Sequence, residues 1–382
     1  MNLCIVAHFA YGALAGGTLG HVGGVERQTS LMAKWFAARG HRVSLLTWDE
    51  GQPADCFIDG VQVIKMCRQS AGVPGIRFFY PRWTSLIAAM AQADAEIYYQ
   101  NCGEYVTGQV ALWCQRKKRR FAYSSANDTD CDVALPAMRT FREKILYRYG
   151  LHHADIIISQ TKKQQQMLRD GFGCRSTVLP MPCPGPAEIE CHPTVFPKKE
   201  PFRVGWAARI SKEKRLELLV KVADALPEVI FEVGGAATGK EGEEYAQPIL
   251  AAAASRPNII LHGRINREGM PLFYSRIKLF CCTSAYEGFP NTFLEAWSHG
   301  VPIVSTFDPD NCIAELGLGK AATDARGLID SIRYFVENQE AWIAASIRAR
   351  EYYLRNHTVD EVMARFEQIF LEILQRKKNI ER

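Results

Sequence analysis

No stretch of this 382-residue chain approaches the ~18 consecutive apolar residues that a membrane-spanning helix requires. Cysteine is too dilute for a disulfide scaffold: the twelve present are about 3% of residues. Several lie in apolar runs (Cys4, Cys281, Cys282), where a free thiol behaves as a small hydrophobe. No C-x-x-C pair occurs, which removes zinc-ribbon and thioredoxin-like readings. The glycines after the first strand-like run do not spell G-x-G-x-x-G, so a nicotinamide-binding reading lacks its fingerprint. There is no short-period repeat and no low-complexity tract. Asn2-Leu-Cys-Ile-Val-Ala7 enters a strand without a basic leader or small-residue cleavage site. That predicts no secretory signal and a reducing, cytoplasmic setting.

What is present suits a globular protein of two ordinary domains, with 47% apolar and 23% charged residues. The net charge of +5 is unevenly divided. Residues 1–184 hold 21 Lys+Arg against 14 Asp+Glu, and residues 185–382 hold 25 against 27. The excess is densest at Arg116-Lys-Lys-Arg-Arg120. Two roles are open to that run: peripheral contact with an anionic membrane surface or acceptor, or the exposed cationic end of a helix. No aromatics are interleaved with it, so nucleic acid is not expected as a partner.

Strand and helix patterns alternate in the first half, as in a parallel sheet. Strands are expected at Asn2–His8, His41–Thr47, Val61–Met66, Glu96–Tyr99, Arg120–Ser124 and Asp155–Ser159, with a helix from Gly24 to Arg39. A Pro-rich passage, residues 185–201, reads as a linker after a first domain of residues 1–184. The alternation restarts in a second domain, residues 202–350, with strands at Phe202–Ala207, Ile230–Val233, Ile259–Leu261, Lys278–Cys282 and Val301–Ser305. The fold class is therefore α/β, two doubly wound Rossmann-like domains, with helices at the end of the chain.

The most informative segment runs from Ser284 to Ser305. Glu287 sits in a Gly/Pro turn and Glu295 lies within the helix that follows. Between them, Gly288, Phe289, Pro290, Asn291 and Thr292 open that helix, whose first N–H groups and dipole favour an anion. Carboxylates flanking an anion site suggest a ligand bearing both phosphate and hydroxyls, such as a sugar nucleotide. A strand precedes the segment and another follows it, which is where open α/β sheets bind ligands. After the first strand of the second half, Arg209 and Lys214 supply the fixed cations that a diphosphate calls for. In the first half, Gly16-Gly17 and Gly20-His-Val-Gly-Gly-Val-Glu26 precede the first helix, with Gly23 and Gly24 placed to let backbone N–H groups approach a phosphate.

The stretch EGFPNTFLE resembles the E-x7-E signature of retaining glycosyltransferases of family 4, of the bacterial surface-polysaccharide type. Arg209 and Lys214 match that family's G-R-x-x-x-x-K-G element, with Ala208 and Arg215 standing where it has glycines. Gly23-Gly24-Val25-Glu26 is similar to its G-G-x-E loop. The resemblance implies a GT-B architecture, two domains facing each other across a cleft, with residues 351–382 crossing back to the first. It implies a nucleotide-diphosphate sugar donor held by the second domain and a saccharide or lipid-linked acceptor held by the first, with no other cofactor. On that model Glu295 takes the ribose hydroxyls and Glu287 the donor sugar, while Arg209 and Lys214 neutralise the diphosphate.

Family members often carry a His at the end of a first-half strand. The matching region here, Phe121 to Asp132, has none, and Asn127 and Asp128 are the nearest candidates. They could hold a sugar hydroxyl and orient an acceptor hydroxyl, or simply form an Asx turn. Asp128-Thr-Asp130 also spells D-x-D, but a Lys/Arg clamp makes a metal unnecessary and none is expected. Two other classes stay open: a sugar-nucleotide epimerase on the same fold, and a binding protein that has lost transferase chemistry.

Overall fold

The computed structural model describes residues 1–16, 23–186 and 200–380, with side chains to residue 376. Gly17, Gly20 and His21 of the first Gly loop, and most of the Pro-rich linker, lie outside the described residues. The chain divides into two compact units. One takes Met1–Pro182 together with Val359–Arg382, the other Cys183–Thr358. The helix Gln339–Asn356 belongs to the second unit, so the return to the first begins at Val359.

The first unit is built on eight strands: β1 (Asn2–Val6), β2 (Arg42–Thr47), β3 (Cys56–Ile58), β4 (Val61–Lys65), β5 (Ile97–Asn101), β6 (Arg120–Ser124), β7 (Ile156–Ser159) and β8 (Thr177–Val178). Their order is β3-β4-β2-β1-β5-β6-β7-β8, parallel throughout except that β3 runs against β4. Strands buried on both faces read as continuous apolar runs, as Leu3–Val6 does and Val43–Leu46 does but for Ser44. The chain winds one way from β1 to β2 and the other way to β5, so β1/β5 is the switch point of this sheet.

The helix Gly24–Ala38 buries Met32, Ala33 and Phe36 in the same core as Leu3, Ile5 and Val43. The last helix, Val359–Ile380, completes that core with Val362, Met363, Phe366, Phe370 and Ile373, an apolar stripe at helical spacing. Phe370 stacks on Phe36 at 5.8 Å, and Trp35 Nε1 donates to Asp360 at 2.6 Å. Glu367 accepts from His41 and Arg39. On the opposite side of the sheet, the helices Tyr105–Lys117 and Phe141–His153 meet through glycine. A Cβ added at Gly108 would lie 2.1 Å from the Leu146 carbonyl oxygen, and one at Gly150 2.6 Å from the Thr107 backbone.

The second unit holds six parallel strands: β9 (Arg203–Ala207), β10 (Ile230–Gly234), β11 (Ile259–Gly263), β12 (Leu279–Cys282), β13 (Ile303–Ser305) and β14 (Gly319–Ala321). Their order, β11-β10-β9-β12-β13-β14, puts the switch point at β9/β12. Both units are Rossmann-like, and each leaves a crevice at the carboxyl ends of its two switch-point strands. Among the described residues no helix is long and apolar enough to cross a membrane.

Candidate functional site

The second-unit switch point gathers the loop after β9 and the loop after β12. The first carries Arg209, Glu213, Lys214 and Arg215, and the second carries Thr283 through Pro290. They are sewn together by backbone. Ala285 N–H donates to the Glu213 carbonyl at 2.8 Å, and Thr283 Oγ1 donates to the Lys214 carbonyl at 2.6 Å. Trp206, buried on β9, donates its indole N–H to Thr283 Oγ1 at 2.9 Å. Across this seam Lys214 Nζ donates to Glu287 Oε1, and the Ser284 hydroxyl donates to the same oxygen at 2.6 Å. The Lys214 and Glu287 side chains are 18% and 17% exposed, so the pair is largely shielded yet reachable from solvent.

Arg215 occupies a left-handed backbone conformation, φ 51° and ψ 52°, where a side chain is strained and glycine is not. Its guanidinium spans the site. Nε donates to the Thr283 carbonyl at 2.7 Å, and Nη2 to the Ser284 carbonyl at 3.1 Å and Thr306 Oγ1 at 2.8 Å. The departure from the glycine pattern therefore ties the loops after β9, β12 and β13 together.

The helix Asn291–Ser298 starts at Pro290 with no side-chain cap. The Phe293 N–H donates to the Pro290 carbonyl at 3.0 Å, while those of Asn291 and Thr292 come first in the turn and face no capping side chain among the described residues. Phe289 rests against Trp297 and His357, with centroids 6.1 and 5.5 Å apart, and so pins the turn that precedes the helix. Four residues into the helix, Glu295 accepts from the Tyr274 hydroxyl at 3.0 Å and lies 3.8 Å from Arg267. Burial, and then the charge of Glu295, pushes the Tyr274 hydroxyl well above its usual range, so it stays a donor to that carboxylate at neutral pH. Arg209 is the outlying member: its side chain is 59% exposed and pairs with Glu213 at 3.2 Å.

A pocket of 230 Å³ lies at the β1/β5 switch point of the first unit, lined by His8, Gly23, Gly24, Glu26, Asn101, Cys102 and Glu104 among others. The Gly23 N–H donates to Glu26 Oε2 at 2.9 Å, so this helix start is already closed by a carboxylate of its own chain. His8 stacks on Trp48 at 4.4 Å and lies 3.8 Å from Glu104. Burial, reinforced by Arg82, lowers the His8 pKa to about 4, which keeps the ring neutral at pH 7. Burial raises Glu104 to about 7, helped by the charges of Asp130 and Glu26. The Oδ1 of Asn101, a residue 5% exposed, has no hydrogen-bond partner among the described residues.

A carboxyl whose folded pKa lies above its unfolded value favours folding at low pH and loses that contribution as pH rises through the folded value. The Glu104 side chain is 41% exposed, so solvent screens much of this effect. Relative to Glu104→Gln, the wild type should lose about 2–4 °C in melting temperature between pH 5 and pH 8. Parallel melting curves over that range would remove Glu104 as the titrating group.

Asn127 and Asp128 are engaged locally. Asn127 caps the short helix Asp128–Cys131, accepting from the Asp130 N–H at 3.2 Å and from Thr129. Asp128 pairs with Lys163 at 2.5 Å and accepts from Gln164 at 3.3 Å. Asp130 turns the other way, onto the N–H groups of Ala126 and Asn127, so the D-x-D carboxylates do not converge. The run Arg116–Arg120 closes the helix Tyr105–Lys117 and pairs off in part, Arg119 with Asp94 at 2.5 Å and Arg120 with Asp155. Glu104, Asn101, Tyr274, Ser284 and the bonding of Arg215 carry no motif. Only the bulky side chain at a glycine position marked Arg215 in the sequence.

Residues 190–350 match the family model "Glycosyl transferases group 1", and residues 23–183 match "Glycosyl transferase 4-like domain". The chain is 28% identical over 172 residues, 41% of its length, to "Lipopolysaccharide core biosynthesis mannosyltransferase LpsB" of Rhizobium meliloti, covering 48% of that protein. In each curated relative matched, the stretch spans half of the relative or less. Among solved structures, sucrose-phosphate synthase from Thermosynechococcus elongatus superposes with TM-score 0.75 at 17% identity, covering 98% of this chain and 99% of that one. Anabaena HepE in complex with UDP and glucose gives 0.73 at 14% identity, covering 97% and 99%.

Proposed function

We propose that the chain is a GT-B glycosyltransferase that moves a sugar from a nucleotide-diphosphate sugar to a hydroxyl of a saccharide or lipid-linked acceptor. On this reading the reaction retains configuration, needs no metal, and serves polysaccharide or glycoconjugate assembly. The observation that carries it is the Lys214–Glu287–Ser284 cluster beside an open helix start at the β9/β12 switch point. A diphosphate entering there would meet the Lys214 ammonium and the N–H groups of the helix Asn291–Ser298, with Arg209 at the rim. Lys214 would exchange part of its contact with Glu287 for phosphate, releasing that carboxylate to hold hydroxyls of the donor sugar. Glu295, oriented by Tyr274 and facing Arg267, would turn its carboxylate to the ribose hydroxyls.

Charge builds on the leaving diphosphate as the glycosidic bond breaks, and fixed cations and dipoles stabilise it without reorganising. The departing phosphate accepts the acceptor's proton on the same face, so no protein nucleophile is required. The first-unit pocket suits the acceptor better than the diphosphate. Glu26 already closes its helix start, and Glu26 and Glu104 would repel an anion but accept from hydroxyls.

The test is a thermal-shift panel of UDP-, GDP-, ADP- and dTDP-sugars with and without chelator. A donor at ~100 times its dissociation constant adds about 2.7 kcal/mol, a rise of several degrees. The expected result is one responding base, unaffected by chelator, whose shift falls at least about tenfold in affinity in Glu295→Ala. Silence from all four in folded protein would sink the reading. Isomerised donor formed without acceptor would instead identify an epimerase, and binding without turnover a lapsed enzyme.

A further inference from the structure

The first unit exposes an aromatic and basic surface that the donor and acceptor pockets do not use. Val73, Ile76, Phe79 and Tyr80 protrude from the segment after β4, with Tyr80 68% exposed. Phe141 and Ile145, one turn apart at the start of the helix Phe141–His153, protrude beside them, with Phe141 79% exposed. The two segments touch, because the Arg142 guanidinium lies 3.7 Å from the Phe78 ring centroid and 5.9 Å from that of Phe79. The other face of the same helix buries Tyr147, Gly150 and Leu151 against the core, so the outward residues sit on a rigid support.

Charge decides what such a surface fits. Residues 68–83 and 139–148 hold seven Lys and Arg and one acid, Glu143. Glu143 is spent on capping, accepting from the N–H groups of Arg139 and Thr140 at 2.9 and 3.0 Å. Three of the cations bond to backbone carbonyls, Arg82 to Gln69, Lys144 to Ala134 and Arg148 to Val133, while Arg68 at the margin lies 3.9 Å from Asp49. The three bonded to carbonyls keep their charge. Aromatic tips among unneutralised arginines match the headgroup layer of an anionic bilayer, where rings insert and cations meet lipid phosphates. A second copy of the same surface would set seven cations against seven.

We propose that Ile76, Phe79, Tyr80, Phe141 and Ile145, ringed by Arg77, Arg139 and Arg142, seat this chain peripherally on an anionic membrane surface. The surface is distinct from the basic run Arg116–Arg120, and the inference does not depend on the transferase reading. The experiment is co-sedimentation of the full chain with vesicles containing phosphatidylglycerol and with vesicles of phosphatidylcholine alone. Binding should be at least about tenfold stronger to the anionic vesicles and should weaken as salt shortens the screening length.

Tyr80→Ser combined with Phe141→Ser should lose about tenfold in partitioning while keeping the melting temperature, since both side chains are exposed. Lys117→Glu combined with Lys118→Glu should bind as wild type. Equal binding to both vesicles, or undiminished binding by the serine variant, would overturn the proposal. Loss confined to the Lys117/Lys118 variant would also overturn it. So would a concentration-dependent dimer, broken by the serine variant, in a chain that ignores vesicles.

Discussion

Lys214→Ala is expected to lower kcat/KM for sugar transfer by about a thousandfold while the protein stays folded. Lys214 is a largely shielded cation at the second-unit switch point, and on the proposed reading its loss removes the charge that offsets the leaving diphosphate. Lys214→Met, which keeps the chain length, should fall as far, because the effect is one of charge. Arg209→Ala should cost less, about ten- to a hundredfold, since its exposed guanidinium works against bulk water. Glu287→Gln should also be severe. It keeps the shape and the Ser284 contact but loses the negative charge that the proposed reading sets beside the anomeric carbon. The double variant Lys214→Ala/Glu287→Gln should be far less impaired than the product of the two single losses, as expected of groups that act as a unit. Single-turnover rates at saturating donor, with melting curves as the control for folding, measure all five. Turnover within about threefold of wild type in folded Lys214→Ala would remove the clamp from the mechanism.

Much of the fold was legible because its strands are apolar on both faces. Runs such as Leu3–Val6 and Leu279–Cys282 have nowhere to go but the middle of a parallel sheet. The strands that escaped notice, β3, β8 and β14, are edge pieces of two or three residues, too short to carry a period. In the site, Arg209, Lys214, Glu287 and Glu295 stood out because loop cations and carboxylates around a helix start have a chemical reading on their own. The first-unit pocket was not legible. Asn101, Glu104 and His8 are adjacent only because β5 comes to lie beside β1 in the sheet order, and nothing in the spacing of residues 8 and 104 announces that. Asn127 and Asp128 looked available in sequence, yet the Asx turn and Lys163 engage them.

Arg215 offers the sharpest test of how the site is held. Its side chain makes three bonds across the loops, and its backbone sits where any residue but glycine is strained by about 1–2 kcal/mol. Arg215→Ala keeps the strain and loses the bonds, leaving the Thr283 and Ser284 carbonyls short of a charged donor. It should destabilise the second unit by about 3 kcal/mol. Arg215→Gly loses the same bonds but relieves the strain, so its cost should be about 1–2 kcal/mol. Glycine would therefore be the less damaging replacement, although it removes more atoms and frees the unfolded chain. Calorimetry of the full-length variants, following the transition of the second unit, gives the order wild type, Arg215→Gly, Arg215→Ala. If alanine proved the more stable of the two, the left-handed backbone would not be a cost at this position. If both matched wild type, the three bonds would contribute nothing net. Because Thr283 Oγ1 also grips the Lys214 carbonyl, both variants should loosen the Lys214–Glu287 pair and lose transfer activity beyond what their stability explains. Arg215 then acts as a positioning residue, and Arg215→Lys, which keeps the charge but not the fork, should fail to restore it.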